Sequence, residues 1–572
     1  MYPLSVAARC TGAVSLLILI ALLVVRPTWL AEVSQRLKRV LVACGKRPVM
    51  FIAVSGVATF LLNASISCFS FWPIPFVHDE FAYVLTGDTF ASGRLTNATH
   101  PFADHFASWH VIQTPSYQAK YPPAQGAALA FGQRCFGHQL VGVWLSLSLA
   151  IVAAVWTMFQ WLPRRWAAYA SLLVVLNPHV HLRWGQSYWG GAIALGGGAL
   201  LVGALGRLRT HRDLTTGVTA GVGLAILAAS RPFEGLLMAI PICLYAGWVV
   251  VSRWDRSALT VGLTGIVAVL AGGLSLAQYN SAVTGQWTKF PYRVWSEQQG
   301  AALDRAITPS VIPLMHVSTD SPKMSPPSKF GSADWRVAEV ARMMSERGAD
   351  AFNFNRNKLY QLNEFYLQTI LRLPLLALPC IVWNRWRMVL VAAIVIVLAG
   401  SCTHLSAGHP HYIAGIAVAL ILIVTLGLRR MEAMRVQYQR VGAGLSTLIL
   451  VGWLMMSTLT FAADVIERPR EPRLKWAQAR AAIAAHCGNG EAQHVLFVKY
   501  LPEHSIHQEW VYNGANIDRQ SVIWANDLGE TRNRELIRYL NRIREQTSFA
   551  AVKAVYVTVG DDPANVELRD GF

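Results

Sequence analysis

Apolar segments of about 20 residues, the length that crosses a bilayer, recur along this chain, and every second connection between them is basic. The segments lie near 10–25, 49–71, 139–161, 166–182, 189–206, 215–231, 233–251, 258–280, 366–383, 388–406, 411–428 and 441–463. The cations fall at Arg36, Lys38, Arg39, Lys46 and Arg47, at Arg164 and Arg165, at Arg207, Arg209 and Arg212, at Arg253 and Arg256, at Arg385 and Arg387, and at Arg429, Arg430 and Arg435. Basic loops stay in the cytoplasm. The remaining connections, 72–122, 183–188, 281–365 and the tail 464–572, therefore face outward. A wrong number of spans would break this alternation. The first segment is short and reads as a signal-anchor, an interfacial helix or a true span. It lacks the small-residue cleavage site of a removed signal peptide.

Composition narrows the class further. Of the 572 residues, 53% are hydrophobic and only 14% charged, against roughly 25% charged in soluble domains. An ordinary soluble enzyme and a disordered chain are both excluded. The net charge of +18 would indicate nucleic acid in a soluble protein. Here it sits in the basic loops and sets orientation, so no nucleic-acid partner is expected. The cysteines are scattered without a CxxC pair, which points to neither a zinc site nor a disulfide framework. HExxH, Walker A, GxSxG and dinucleotide fingerprints are missing from the sequence.

Three outward segments are too long for turns. In 72–122, the stretch HDEFAYVLTGDTFASGRL places Phe81, Val84, Leu85, Thr89 and Phe90 near helical spacing, which predicts a helix lying on the membrane surface. In 281–365, SPKMSPPSKF reads as a loop and 336–348 as a short helix. The tail contains three strand-like runs, at 494–500, 521–526 and 552–560, and an amphipathic helix at 532–544. The expected fold is mainly α: a polytopic membrane domain, 1–463, of about eleven or twelve helices, followed by a small α/β extramembrane domain, 464–572.

The residues with chemical potential cluster on the outward side. Asp79 and Glu80 are adjacent carboxylates just past an apolar span. A carboxylate there can take the proton of an attacking hydroxyl, or it can cap a helix at its positive end. Lys120 and Tyr121 close the same loop, and a lysine at a membrane face pairs with phosphate or snorkels. The stretch RWGQSYWGG, from Arg183 through Tyr188 to Gly191, suits a sugar, a phosphate or an aromatic belt. Arg231 lies near Glu234, placed for a lipid phosphate or a local ion pair. His404, His409 and His411 flank another outward turn, where they could contact a sugar or hold a metal. Asp88, Asp104 and His105 share the first loop with Asp79, and surface solvation is the first reading for them.

HDEFAYVLTGDTFASGRLTNATHP and AKYPPAQG resemble GT39-like membrane proteins of the GT-C glycosyltransferase superfamily. The branch is that of protein O-mannosyltransferases and lipid A aminoarabinose transferases. The likeness is specific over residues 78–126 and a matter of layout elsewhere. It implies a GT-C-like fold and an inverting sugar transfer from a polyprenyl-phosphate donor to a periplasmic lipid, glycan or protein. It places the chain in a bacterial inner membrane among membrane lipids, with its tail in the periplasm. Asp79 would be the general base with Glu80 beside it at the acceptor. Lys120 and Arg231, assigned by chemistry rather than by a family motif, would neutralise the leaving phosphate. His78, Asp88, Tyr121, Arg183, Tyr188, His409 and His411 complete the expected substrate-binding set. Metal use varies across the superfamily, so no cofactor is assigned and a divalent cation stays open. The rival readings are a secondary transporter of about twelve spans, which would show repeated halves and midplane charges, and a non-catalytic envelope scaffold.

Overall fold

Long apolar runs without internal breakers become long helices, because the bilayer leaves backbone groups no other partner. The computed structural model describes residues 27–252, 255–299, 343, 346–403, 408–434, 441–471, 474–501, 504–505, 507–544, 547, 549–560 and 566–571. Among these, seven helices are long and apolar enough to span a membrane: Pro48–Phe69, Gln139–Trp161, Pro232–Val251, Arg256–Thr284, Arg385–Cys402, Ala414–Glu432 and Gly442–Glu467. Three shorter apolar helices, Gly191–Arg207, Leu214–Ala228 and Ile370–Cys380, accompany them. This is a helical, multi-pass membrane protein.

Two of the expected spans take another form. The segment 166–182 divides into helices Arg164–Val175 and Pro178–Trp184. Asn177 makes the break: its side-chain oxygen accepts from the backbone of His179 at 3.0 Å and of Val180 at 3.4 Å, and Pro178 opens the new helix. The segment 366–383 contains a 3₁₀ helix, Ile370–Cys380, carrying Pro374 and Pro379, each of which removes an α-helical donor. The segment 10–25 lies outside the described residues, as do His404 and the Pro/Ser-rich stretch of the 281–365 loop. The basic connection before Pro48 is itself largely helical, Pro27–Lys46, and its Lys38 reaches Glu432 at 3.2 Å; Arg165 pairs with the same carboxylate.

Backbone contacts divide the chain into two units. The membrane unit comprises Met1–Trp72, Leu140–Leu276 and Phe352–Pro469. Small residues let its helices approach closely. A Cβ on Gly198 would come within 2.0 Å of the Gly415 carbonyl oxygen, so that crossing admits only glycine.

The second unit gathers Pro73–Gln139, Ala277–Ala351 and Arg470–Phe572. Its four-stranded sheet places Ala492–Tyr500 between two parallel neighbours, Val522–Asn526 and Ala551–Val559; Glu567–Asp570 adds an antiparallel edge to the latter. The three strand-like runs and the helix, here Glu530–Ile543, occur where the sequence places them. The tail does not have this core to itself. Phe81, Leu85 and Phe106 of the first loop pack with Trp476, Phe497, Trp510, Tyr512 and Trp524 of the tail. Phe81 stacks flat on Tyr512 at 4.8 Å, and the Arg480 guanidinium lies 4.9 Å from the Phe81 ring and 4.7 Å from Trp524. Arg480 also donates to the Trp510 and Tyr512 carbonyls.

The helix His78–Ala91 forms as expected, but it is not a surface helix. Glu80, Phe81, Ala82, Tyr83, Leu85, Thr86 and Thr89 are all buried, so the helix is covered on most sides instead of presenting one apolar stripe.

Candidate active site

The site is built around the first turn of the His78–Ala91 helix. Val77 enters it in an extended conformation, and Asp79 and Glu80 occupy the turn where the helix dipole favours negative charge. The two carboxylates have different surroundings. Glu80 is 1% exposed, and its Oε2 accepts from the Phe76 backbone at 3.0 Å, which fastens the chain entering the helix. Asp79 keeps a quarter of its side chain accessible.

Three side chains meet the Asp79 carboxylate. His78 Nδ1 lies 2.9 Å from Oδ2, His110 Nε2 lies 3.7 Å from Oδ1, and the Tyr121 hydroxyl donates to Oδ1. Burial opposes the charge on Asp79. His78 and His110, together with hydrogen bonds from His78 and Tyr121, outweigh it and hold the group well below the usual carboxylate range. His110 is itself held well below the usual imidazole range, first by burial and then by Lys120. His110 has a backbone φ of +68°, a left-handed conformation that a non-glycine residue adopts only when its surroundings enforce it. Part of that enforcement is the hydrogen bond from the Lys120 amide to the His110 carbonyl, 3.0 Å.

Lys120 is 4% exposed. Its ammonium sits 3.5 Å from the centre of the Trp295 ring, 4.8 Å from Tyr292 and 5.4 Å from Tyr121. Ring faces carry negative potential and so retain a cation. Burial nevertheless brings its pKa down to about 7, with Asp79 acting in the opposite direction. The Tyr279 hydroxyl, donating to the Tyr121 carbonyl at 3.1 Å, and the Tyr83 ring, stacked 4.5 Å from Tyr121, fix the Tyr121 end. His507, on a tail loop, brings its ring to 5.3 Å from that of His78. His78, Asp79 and His110 have the donor types and the spacing to hold a metal ion: one ligand atom from each, all within 4.8 Å of one another.

Of the residues singled out from sequence, His78, Asp79, Lys120 and Tyr121 converge here. Asp88 does not: its two oxygens accept from Gln133 at 2.9 Å and from the Ala515 amide at 2.7 Å, so it ties the helix to the tail. A separate group forms in the membrane unit. The Arg231 guanidinium lies 4.9 Å from the Tyr412 ring, His411 packs on Tyr412 at 4.7 Å, and His409 stacks on His411 at 5.3 Å. Trp189 joins it, 4.8 Å from His411. Arg183 and Tyr188 belong to the turn that carries Trp189, where the Arg183 carbonyl accepts from Ser187 and Tyr188 is buried. Residues that sequence reasoning passed over are His110, Tyr292, Trp295 and His507. Tyr292 and Trp295 share one short helix at i, i+3, a spacing that could have marked them; His110 and His507 match no motif.

No protein-family model matches this chain, and no curated protein does. Solved structures of similar architecture exist at low identity. One is the crystal structure of ArnT from Cupriavidus metallidurans in the apo state, at 11% identity and a TM-score of 0.46, covering 89% of this chain and 92% of that one. Another is the Archaeoglobus fulgidus oligosaccharyltransferase in complex with Zn and sulfate, at 12% and 0.48, covering 88% of this chain and 68% of the other. A third is the archaeal oligosaccharyltransferase AglB from the same organism, with an inhibitory peptide and a dolichol-phosphate, at 13% and 0.43, covering 89% and 69%.

Proposed function

We propose that the chain is an integral-membrane glycosyltransferase that moves a sugar from a polyprenyl-phosphate donor to an acceptor hydroxyl on the outward, periplasmic side of a bacterial inner membrane. The observation that carries this reading is the environment of Asp79. Its carboxylate is held ionised, with a quarter of its side chain accessible, at the start of a buried helix, with an aromatic-caged lysine electrostatically coupled to it. A buried carboxylate kept charged is a candidate for proton transfer.

In this mechanism Asp79 takes the acceptor's hydroxyl proton while that oxygen forms a bond to the anomeric carbon. The bond from that carbon to the phosphate oxygen breaks on the opposite face, so configuration inverts. The lipid phosphate leaves as an anion, and a cation such as Lys120 stabilises the developing charge without a general acid. Glu80 keeps the helix start in place and so positions its neighbour. Arg231, His409 and His411 supply the membrane unit with a cation and donors suited to an anionic lipid headgroup.

The test compares the purified full-length protein with Asp79→Asn, supplied with labelled polyprenyl-phosphate sugar and membrane extract. Transfer by the wild type and its loss in the variant support the proposal; equal transfer by both removes Asp79 from the mechanism. Solute flux in vesicles without sugar transfer would favour a transporter instead.

A further inference from the structure

The basic connections of the membrane unit carry arginines of two kinds. Some are matched by a carboxylate. Arg207 pairs with Asp213 at 2.6 Å, and Lys38 and Arg165 share Glu432. Asp255 is engaged as a helix cap, accepting from the Ala258 amide at 2.7 Å. Arg209, Arg387, Arg429 and Arg430, by contrast, pair with no carboxylate among the described residues. They nevertheless lie close enough together that Arg387 is repelled by the other three. Arg385 and Arg387 also stand in the first turn of Arg385–Cys402, which holds no acidic residue and where the helix dipole opposes positive charge. Like charges gathered without a counter-charge destabilise a fold, and an anion that joins them relieves the repulsion.

Packing holds the group in place. Leu208, next to Arg209, shares an apolar cluster with Val249 and Val261, and Trp386, between Arg385 and Arg387, packs against it. The Tyr245 ring meets Trp386 edge-on at 4.9 Å. The Arg385 guanidinium lies 5.8 Å from the centre of the Trp248 ring, and that of Arg209 lies 5.3 Å from Trp161. The ends of Gln139–Trp161, Gly191–Arg207 and Pro232–Val251 therefore meet the start of Arg385–Cys402. The tryptophans indicate the depth. Indole rings collect at the headgroup level of a bilayer, and Trp248 is 52% exposed. One turn further into the same helix Leu244 is 71% exposed, an apolar surface along which an acyl chain can lie.

We propose that Arg209, Arg385, Arg387, Arg429 and Arg430 form a binding site for an anionic phospholipid headgroup, on the face that the charge alternation assigns to the cytoplasm. Guanidinium groups bind phosphate through paired hydrogen bonds, and their fixed fork suits that contact better than an ammonium does. Basic pockets between spanning helices at this face take multiply charged headgroups, so a lipid with two phosphates, such as cardiolipin, fits best. A soluble phosphate would satisfy the arginines alone. The exposed Trp248 and Leu244 beside them favour a ligand that brings its own acyl chains. The site shares no residue with the proposed transfer chemistry, and it is tested without donor or acceptor, so either reading can fail alone.

The test uses full-length protein in detergent, delipidated and then titrated with cardiolipin, phosphatidylglycerol or phosphatidylethanolamine. Binding is read by native mass spectrometry and by thermal unfolding. Cardiolipin should bind the wild type about tenfold more tightly than phosphatidylethanolamine and raise its melting temperature. Arg387→Gln should weaken cardiolipin binding by about tenfold. Arg39→Gln, at an exposed arginine of Pro27–Lys46, removes the same charge and should stay within about twofold of the wild type. Folding of each variant is checked by circular dichroism and by its lipid-free melting temperature, and Arg209→Gln, outside the spans, carries the test if Arg387→Gln does not fold. Equal affinity for cardiolipin and phosphatidylethanolamine overturns the proposal, as does unchanged cardiolipin affinity in the folded cluster variant. Equal losses in that variant and in Arg39→Gln would mean attraction by net charge alone and overturn the site. Displacement of cardiolipin by equimolar glycerol phosphate would overturn the assignment to a lipid.

Discussion

In the membrane unit, Leu263, Ile266, Val267, Leu270 and Leu274 stand exposed along one helix, and glycine contacts hold neighbouring helices together. In the second unit the large apolar side chains turn inward, around Trp476, Trp510 and Trp524, and arginines, histidines and carboxylates tie the periphery. The membrane unit can leave apolar surface outside because lipid solvates it, so its helices associate by close backbone approach. The second unit encloses its large side chains, and its chain segments are separated by entire spans, so it relies on long-range side-chain contacts. Both units bury charge, and both compensate for it: Lys120 and Arg480 of the second unit have rings or carbonyls around them, and Lys358 of the membrane unit donates to the Ser401 carbonyl.

The largest effect that tests this contrast is catalytic. Asp79→Asn should lower transfer by about 10²–10⁴-fold, with the melting temperature of the apolar helices unchanged; equal turnover would move the chemistry away from Asp79. Next is Phe81→Ala, which removes a ring stacked on Tyr512 and should cost the second unit about 3 kcal/mol. Limited proteolysis should then release tail fragments while the apolar helices stay protected. Loss of both units together would show that they unfold as one.

Acid provides a third test. His105 is buried, and burial and then Arg532 bring its pKa from 6.5 to about 4. The folded state therefore binds fewer protons than the unfolded chain between those values. Stability is full above pH 6.5 and falls as pH drops toward 4, by on the order of 3 kcal/mol. His105→Gln should flatten this dependence in hydrogen exchange of the tail strands. The smallest effect is at the surface. Arg534 and Glu530 pair across one helical turn in solvent, and Arg534→Ala should change stability by less than about 0.5 kcal/mol in thermal unfolding.

Much of the architecture could be read directly from sequence, because hydropathy and strand alternation are local. The apolar runs gave the long helices, and the runs at 494–500, 521–526 and 552–560 are strands of the sheet. Where a local breaker competed with hydropathy, hydropathy misled: Asn177-Pro178 divides one expected span, and Pro374 and Pro379 distort another. The site was legible in half. Adjacent carboxylates beside a span drew attention to Asp79, and Lys120 and Tyr121 stood out in the same loop. His110 and His507 had no such signal, since each acts only through a neighbour distant in sequence.

The sequence by itself determined that this chain carries membrane-spanning helices, that its connections alternate in charge and which segment carries the acidic pair, because charge and hydropathy act residue by residue. Only the tertiary structure decided that the first loop and the tail share one core, that Glu80 fastens a helix while Asp79 stays accessible, and that Lys120 is enclosed by aromatic rings. Those outcomes depend on burial, and burial is set by residues that meet only after the chain has folded.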